Sequence, residues 1–334
     1  MMAAHDDMSA EDHLIARFFK PLATHPGALG LSDDAAFLTP PPGCDLVLKT
    51  DAIVGGVHFF PEDAAHTVAS KALRVNLSDL AAKGAKPAGF LVTLALRSAE
   101  DAWLAPFARA LGEDAAAYAC PLLGGDTVST PGPAMISIAA FGLIPAGRMI
   151  HRSGAKAGDR VMVTGTIGDA ALGLDILKGG PAASALAGDA VARDMLISRY
   201  RVPQPRNALA AAVRDHASAS MDVSDGLAGD FAKLCAASGV SADIDVPSIP
   251  LSAPARSLIA SGAAAIETLI SAGDDYEILC TVPDERCAAF ADAARRAGVA
   301  VTSIGTIAAG TESPKFRDAE GRELALKHLS YSHF

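Results

Sequence analysis

Aspartates placed where the backbone changes direction are the residues of this chain best suited to chemistry. The stretch Met221 to Asp230, MDVSDGLAGD, ends a predicted strand over 217–223 and turns through Ser224, Asp225 and Gly226 into a predicted helix. Asp222 and Asp225 sit at that turn. The same arrangement, an apolar strand and then an Asp beside Gly, Ser or Thr, recurs and adds Asp34, Asp51, Asp79 and Asp126, with Asp274 further on. If the fold gathers several of them, two carboxylates about 5 Å apart at an effective dielectric of about 20 repel by roughly 3 kcal/mol. A few such pairs would erode much of a typical stability of ~5–15 kcal/mol. A convergent cluster therefore implies cations, and an all-oxygen donor set implies Mg2+ or a similar hard ion. The chain has no HExxH and no Cys/His spacing of the kind zinc requires.

Each position also has a plain structural use, and spacing leaves both open. Ser224 or Asp225 can cap a helix and favour the positive end of its dipole. Adjacent Asp33 and Asp34 can simply face water. Lys83 can neutralise Asp79 four residues earlier, although Asn76 and Asp79 share a helical face that could be functional. Gly124 and Gly125, just ahead of Asp126 and Thr127, suit a cation site and a tight hairpin equally. His58, beside Phe59 and Phe60, fits the edge of a core as well as it fits a ligand site.

The elements that would hold these residues follow from periodicity. Ser9 with Asp12 three residues on has the form of a capping box ahead of a helix whose apolar face is Leu14, Ile15, Phe18 and Phe19. A strand is predicted over 45–50, ending at Asp51, and a long Ala-rich helix from Asp63 to Gly84. A strand over 89–96, a helix near 102–118 and a strand over 134–144 complete a first half. Composition changes near 146–156, so the expected domains are 1–147 and 148–334. The second half opens with a strand, a glycine turn and a helix in GDRVMVTGTIGDAALGL, then a loop over 178–188. Its glycines are not in GxGxxG spacing, and no GxxxxGK[ST] is present, so neither a dinucleotide fingerprint nor a Walker loop is found.

Composition narrows the function classes. With 334 residues, half of them hydrophobic and a fifth charged, the chain has the makeup of a soluble globular protein of two domains. A net charge of -10 argues against nucleic-acid or anionic-membrane partners, which call for a basic face. The five cysteines form no CxxC and are odd in number, which suits a reducing cytoplasm and makes each a core or incidental residue. No apolar run is long enough to span a bilayer, and residues 1–8 lack the basic and apolar regions of a secretion signal.

The motifs SDDAAF, KTDAIVGGVHF, NLSDLAAKGAKP, LLGGDT, RSGAKAGDRVMVTGTIGDAALGL, MDVSDGL and GDDYEIL occur in one order over about residues 13–334. In that order the chain resembles the thiamine-monophosphate kinase family, within the aminoimidazole ribonucleotide synthetase-like superfamily. The resemblance implies an α/β (α+β) subunit of two domains. The N-terminal one is a half-barrel that binds ATP and magnesium and pairs with a second subunit, and the C-terminal one is an α/β domain. It implies ATP-dependent phosphorylation of thiamine monophosphate to thiamine diphosphate by direct in-line transfer, in a cytoplasmic homodimer with several Mg2+ ions.

By position, the resemblance gives Asp34, Thr50, Asp51, Asp79, Asp126, Asp222 and Asp225 to magnesium. It gives Gly125, Asp126, Arg152 and Ser224 to ATP, and His58, Asp274 and Tyr331 to thiamine phosphate, with Asp126, Arg152 and Asp222 as the catalytic set. Two positions depart from the pattern. Ser32 stands where a Gly is usual, and Lys49 where a Ser is usual, so an ammonium could take over the charge of a lost metal contact. The alternatives are another ATP-using member of the superfamily, such as the purine-biosynthetic synthetase type, or a regulator that holds nucleotide and metal without turnover. Selenophosphate synthetase would want a reactive Cys near the N-terminus, and none precedes Cys44. The hydrogenase-maturation relative would want a terminal Cys, whereas the sequence ends His333-Phe334.

Overall fold

The computed structural model describes residues 9–326 and 328–330. Two compact units divide the chain: the described residues up to Asn76 with Pro87–Leu143, and Leu77–Lys86 with Ile144 onward. In chain order the helices are α1 (Ala10–Leu14), α2 (Ala65–Ala82), α3 (Asp101–Ala117), α4 (Asp169–Leu177), α5 (Pro181–Ala185), α6 (Ala190–Arg201), α7 (Ala210–His216), α8 (Leu227–Ser238), α9 (Ala253–Ala260), α10 (Ile266–Ser271) and α11 (Cys287–Arg296). The strands are β1 (Cys44–Val54), β2 (Lys86–Leu96), β3 (Leu122–Ser129), β4 (Met135–Pro145), β5 (Arg160–Thr164), β6 (Ala219–Asp222), β7 (Ser241–Asp245), β8 (Ile278–Val282), β9 (Val301–Ala308) and β10 (Lys315–Arg317). The mixture of helices and sheets in both units is the α/β architecture expected.

The first unit holds a four-stranded sheet in the order β1-β4-β2-β3. β2 and β3 run parallel, which requires a crossover, and α3 supplies it. Along α3 the buried residues Leu104, Phe107, Ala108, Leu111 and Ala115 recur at helical spacing and form one stripe. Asp114 of the same helix, nearly fully buried, takes two bonds from the Arg74 guanidinium of α2, at 2.8 and 2.7 Å. β4 alternates strictly between buried and half-buried residues, so one face of the sheet is core and the other is open. On the open side Leu46 and Leu48 of β1, Leu91 of β2 and Val128 of β3 remain exposed.

The second unit is built on a six-stranded sheet in the order β10-β7-β9-β5-β8-β6. All of its described pairings are antiparallel except β10 with β7. β8 is buried at every residue, as its unbroken ILCTV run requires of a central strand. α8 lays Leu227, Ala228, Phe231, Leu234 and Cys235 into the core shared with Val161, Val163 and Leu279, and stops at Gly239 in the left-handed conformation. Each fully buried Leu or Phe of this kind contributes about 1.5–3 kcal/mol.

The capping box at Ser9 and Asp12 forms as expected, with Ser9 Oγ and Asp12 each taking the other's backbone N–H. Four expectations change. Asp51 lies inside β1 rather than at its end, because the strand continues to Val54. Gly124 and Gly125 lie within β3 and not in a hairpin. The stretch 178–188 contains the short helix α5, and α6 follows it, capped by Asp189 whose carboxylate accepts from Ala192 N at 3.0 Å. Finally, Gly226, not Ser224 or Asp225, is the N-cap of α8, and no side chain caps it.

Candidate active site

In the first unit the open face of the sheet holds a cavity of about 710 Å³ whose lining includes Asp34, Gly125 and Asp126. β3 delivers Gly125 and Asp126 opposite Val92 and Thr93 of β2. Gly125 is required by that pairing: a Cβ there would overlap the Val92 carbonyl, so the residue serves close packing of two strands. Asp34 reaches the cavity on a bend that follows a turn in which Leu29 (φ 51) and Leu31 (φ 54) are both left-handed. Each such residue costs roughly 1–2 kcal/mol. Ser32 itself has φ -114, so a side chain fits there without strain, and its hydroxyl donates to Leu29 O at 2.6 Å.

Asp33 also lines the cavity, and none of the described lining residues is basic. Glu11 approaches the same strand, where its carboxylate accepts from Thr127 Oγ1 at 2.7 Å. Its place in the sequence, inside a helix's first turn, gave no signal of this. Among the described residues no three of His, Cys, Asp and Glu stand close enough to hold one ion. The donor chemistry nevertheless fits a hard divalent cation of the Mg2+ type, which uses one or two carboxylates and completes its shell with water and phosphate oxygens.

Strand alternation separates Thr50 from Asp51. Thr50 shares the exposed side of β1 with Leu46 and Leu48, whereas Asp51 shares the other side with buried Val47 and Ile53. Lys49, on the same side as Asp51, places Nζ 3.1 Å from Asp51 Oδ1, so the departure from the family pattern does bring an ammonium to this carboxylate. His58 is half-buried just beyond β1. Its Nδ1 accepts from Val54 N at 3.0 Å, which puts the proton of the neutral ring on Nε2. The buried Lys71 ammonium donates to His58 O at 2.9 Å and fixes the backbone that carries the ring.

The second unit gathers Asp222, Ser224 and Asp225 in one loop between β6 and α8. Asp222 is buried at the end of β6, opposite Ile278 of β8. Asp230 of α8 shapes the loop: its Oδ2 accepts from Ser224 N and Asp225 N at 3.0 and 2.9 Å. Lys233 joins Asp225 (2.7 Å) to Asp230 (3.0 Å). Burial works against the Lys233 ammonium, but its hydrogen bonds to Asp225 and Asp230 outweigh that and raise its pKa. Asp230 and Lys233 were absent from the expected site, though their three-residue spacing on a helix was a readable sign.

Elsewhere in this unit, Asp79 is half-buried near the end of α2, and the Lys83 ammonium donates to Ser220 O at 2.6 Å. Arg152 is exposed on a loop pinned by Ser238, whose hydroxyl donates to Arg152 O (2.8 Å) and accepts from Gly154 N and Ala155 N. Tyr331 lies outside the described residues. The chain just before it, at Leu329 and Ser330, lies so close to α8 that a Cβ on Gly229 would overlap Ser330.

Asp274 is half-buried, and the residues after it alternate: Asp275 and Glu277 are buried, Tyr276 is half-buried. Asp274 N and Tyr276 N donate to Ser224 O and Val223 O, both at 2.8 Å, which fastens this segment to the 222–225 loop. Both Asp275 oxygens accept from Gly168 N, at 3.0 and 2.8 Å, so the glycine turn before α4 receives an internal carboxylate. Desolvation raises the Asp275 pKa well above the usual carboxylate range, and the Gly168 bond and Arg199 offset this only in part. With a folded pKa above the unfolded one, the native state holds the proton longer. The stability contribution is full below the unfolded pKa and is lost as pH rises through the folded value. Asp275→Asn should therefore flatten the fall of denaturation midpoint with pH above about 4. A midpoint profile parallel to that of the unaltered chain would remove Asp275 as its cause.

The cysteines are all free, and burial pushes the Cys120 and Cys235 thiols up to about 12, so neither is a thiolate near neutral pH. No described helix is long and apolar enough to cross a membrane.

Two family models, the N-terminal and the C-terminal domain of AIR synthase related protein, match residues 32–144 and 156–314, and so define the class of this two-unit fold. The thiamine-monophosphate kinase of Caulobacter vibrioides is 44% identical over 328 residues, covering 96% of this chain and 90% of the relative. The crystal structure of thiamine-monophosphate kinase from Stenotrophomonas maltophilia K279a superposes with a TM-score of 0.81 at 33% identity, covering 96% and 98% of the two chains. AaThiL complexed with AMPPCP and TMP superposes with a TM-score of 0.76 at 30% identity, covering 90% and 91%. The chain belongs to the thiamine-monophosphate kinase family.

Proposed function

We propose that this chain is an ATP-dependent kinase that phosphorylates thiamine monophosphate to thiamine diphosphate. The observation that carries the reading is full-length likeness to AaThiL, whose structure holds an ATP analogue together with TMP. The ligand roles follow the motif positions: Gly125, Asp126, Arg152 and Ser224 meet ATP, and His58, Asp274 and Tyr331 meet thiamine phosphate. Asp34, Thr50, Asp51, Asp79, Asp126, Asp222 and Asp225 form the magnesium set, Thr50 from the opposite face of β1 to Asp51. The domains are 1–147, which binds ATP and magnesium, and 148–334. The exposed apolar residues Leu46, Leu48, Leu91 and Val128 support a homodimer formed through the open sheet face of the N-terminal domain. Five cysteines without a CxxC fit a place in the cytoplasm.

In the reaction an oxygen of the substrate phosphate attacks the γ-phosphorus, the bond from that phosphorus to the β-bridging oxygen breaks, and ADP leaves. A phosphate monoester is already ionised near neutral pH, so no strong general base is needed. The protein's part is positioning and charge. The Arg152 guanidinium neutralises developing phosphoryl charge, and His58, with its proton on Nε2, donates a hydrogen bond instead of removing a proton. Magnesium, when bound, would offset the mutual repulsion of the two phosphate chains.

ADP release measured with thiamine phosphate, and separately with the aminoimidazole precursors, tests the proposal. Release should depend on thiamine phosphate alone. Release driven by an aminoimidazole precursor would assign the chain to the purine type, and binding of ATP without release would make it a regulator.

A further inference from the structure

Among the described residues five other than glycine have positive φ, and two of them, Asp274 (φ 71) and Tyr276 (φ 50), stand one residue apart. A bulky aromatic residue in the left-handed region is an outlier, and such strain persists only where the surroundings fix it from several sides. Here they do. The 222–225 loop holds both backbone N–H groups, and the intervening and following side chains, Asp275 and Glu277, are buried and bound by Gly168, Thr164, Arg199 and Arg206. What this clamp leaves half-buried is the pair itself. The Tyr276 hydroxyl donates to Asp274 Oδ1 at 3.1 Å.

The strained pair borders the loop that carries Asp222, Ser224 and Asp225, and its two side chains stay half-buried, where the Tyr276 hydroxyl orients the Asp274 carboxylate. We infer that Tyr276 is a positioning residue for recognition of thiamine phosphate: its hydroxyl fixes the rotation of the Asp274 carboxylate toward a heteroaromatic cation bearing an amino group. The inference rests on the proposed function and on the role given there to Asp274. A carboxylate suits such a ligand twice over, as counter-charge and as acceptor from the amino group. An unheld carboxylate would lose that orientation when the ligand is absent and would have to be reordered at each binding event.

The test is steady-state kinetics of the full chain, as purified, for the unaltered protein, Tyr276→Phe, Asp274→Asn and the double variant. Phenylalanine keeps the ring and removes only the hydroxyl. Tyr276→Phe should raise KM for thiamine phosphate about three- to tenfold, the scale of one charge-assisted hydrogen bond partly realised in binding. Its kcat should stay within about twofold, and KM for ATP and the melting temperature should be unchanged, a split that loss of structure would not give. Asp274→Asn should raise the same KM more, and the double variant should match Asp274→Asn alone, because the hydroxyl acts through the carboxylate.

An unchanged KM in Tyr276→Phe overturns the inference, as does full additivity in the double variant. So does an equal rise in both KM values with a lowered melting temperature. A normal Asp274→Asn beside an impaired Tyr276→Phe removes Asp274 from recognition and overturns it too. If the unaltered chain turns over no thiamine phosphate, the proposed function falls and takes the inference with it. Turnover by the unaltered chain together with an indifferent Tyr276→Phe defeats the inference alone.

Discussion

Asp126→Asn should lower kcat with thiamine phosphate by about 10²–10³-fold, the loss seen when one fixed electrostatic partner of a transition state is removed. The substitution keeps the shape of the side chain and removes its charge. Asp126 is exposed on β3 and lines the same cavity as Asp34, with no described basic side chain lining it. Among the described residues no basic side chain lines that cavity to offset its charge, which suits a cation or a phosphate-bound ion. Surface changes of this sort usually alter stability by less than about 0.5 kcal/mol. The expected signature is a large fall in kcat with an unchanged melting temperature, and a higher magnesium concentration needed for half-maximal rate. Normal turnover in Asp126→Asn would take the residue out of the catalytic set.

Two kinds of acid stand out in this chain. Asp51 and Asp225 each have an ammonium within salt-bridge distance, from Lys49 and Lys233. Both pairs are partly exposed, where such bridges are worth about 0–1 kcal/mol, so a divalent ion would displace either lysine from its carboxylate at little cost. Asp114, Asp230, Asp275 and Glu277 are instead buried and committed to partners within the fold. Burial with a fixed partner marks the structural acids, and a cavity position or a weakly held ammonium marks the candidates for ligand work.

Sequence made some of this legible and hid the rest for identifiable reasons. Local signals held: the Ser9–Asp12 capping box and the long helix α2 are each fixed by neighbours a few residues away. Gly125 was ambiguous because its constraint is the Val92 carbonyl on another strand. Ser224 and Asp225 read as helix caps by their type and place, whereas the structure makes them part of the turn before Gly226, with their N–H groups held by Asp230 five or six residues on. Thr50 and Asp51 are consecutive, and only the extent of β1 reveals that they face opposite ways. GDDYEIL drew attention to Asp274, whereas the residues that hold the buried Glu277 of the same motif, Arg199 and Arg206, lie more than 60 positions earlier.

Glu277→Gln should destabilise the second unit by about 3–5 kcal/mol, the cost of breaking a buried ion pair by removing one partner. The Glu277 side chain is 0% exposed. Its oxygens accept from Thr164 Oγ1 (2.6 Å), from Arg199 Nη2 (2.7 Å) and from Arg206 Nε and Nη2 (2.7 and 2.5 Å). Glutamine fits the space but brings an amide donor to face guanidinium donors, and it removes the charge that Glu277 sets against both arginines. Against a total of ~5–15 kcal/mol, that loss should move the denaturant midpoint far more than Asp126→Asn does. Sign is the sharper test. Replacing Glu277, Arg199 and Arg206 together with methionine removes the charges and keeps apolar bulk, so it should restore much of what Glu277→Gln loses. A triple variant no more stable than Glu277→Gln would mean that the network's geometry, rather than its uncompensated charge, sets the cost.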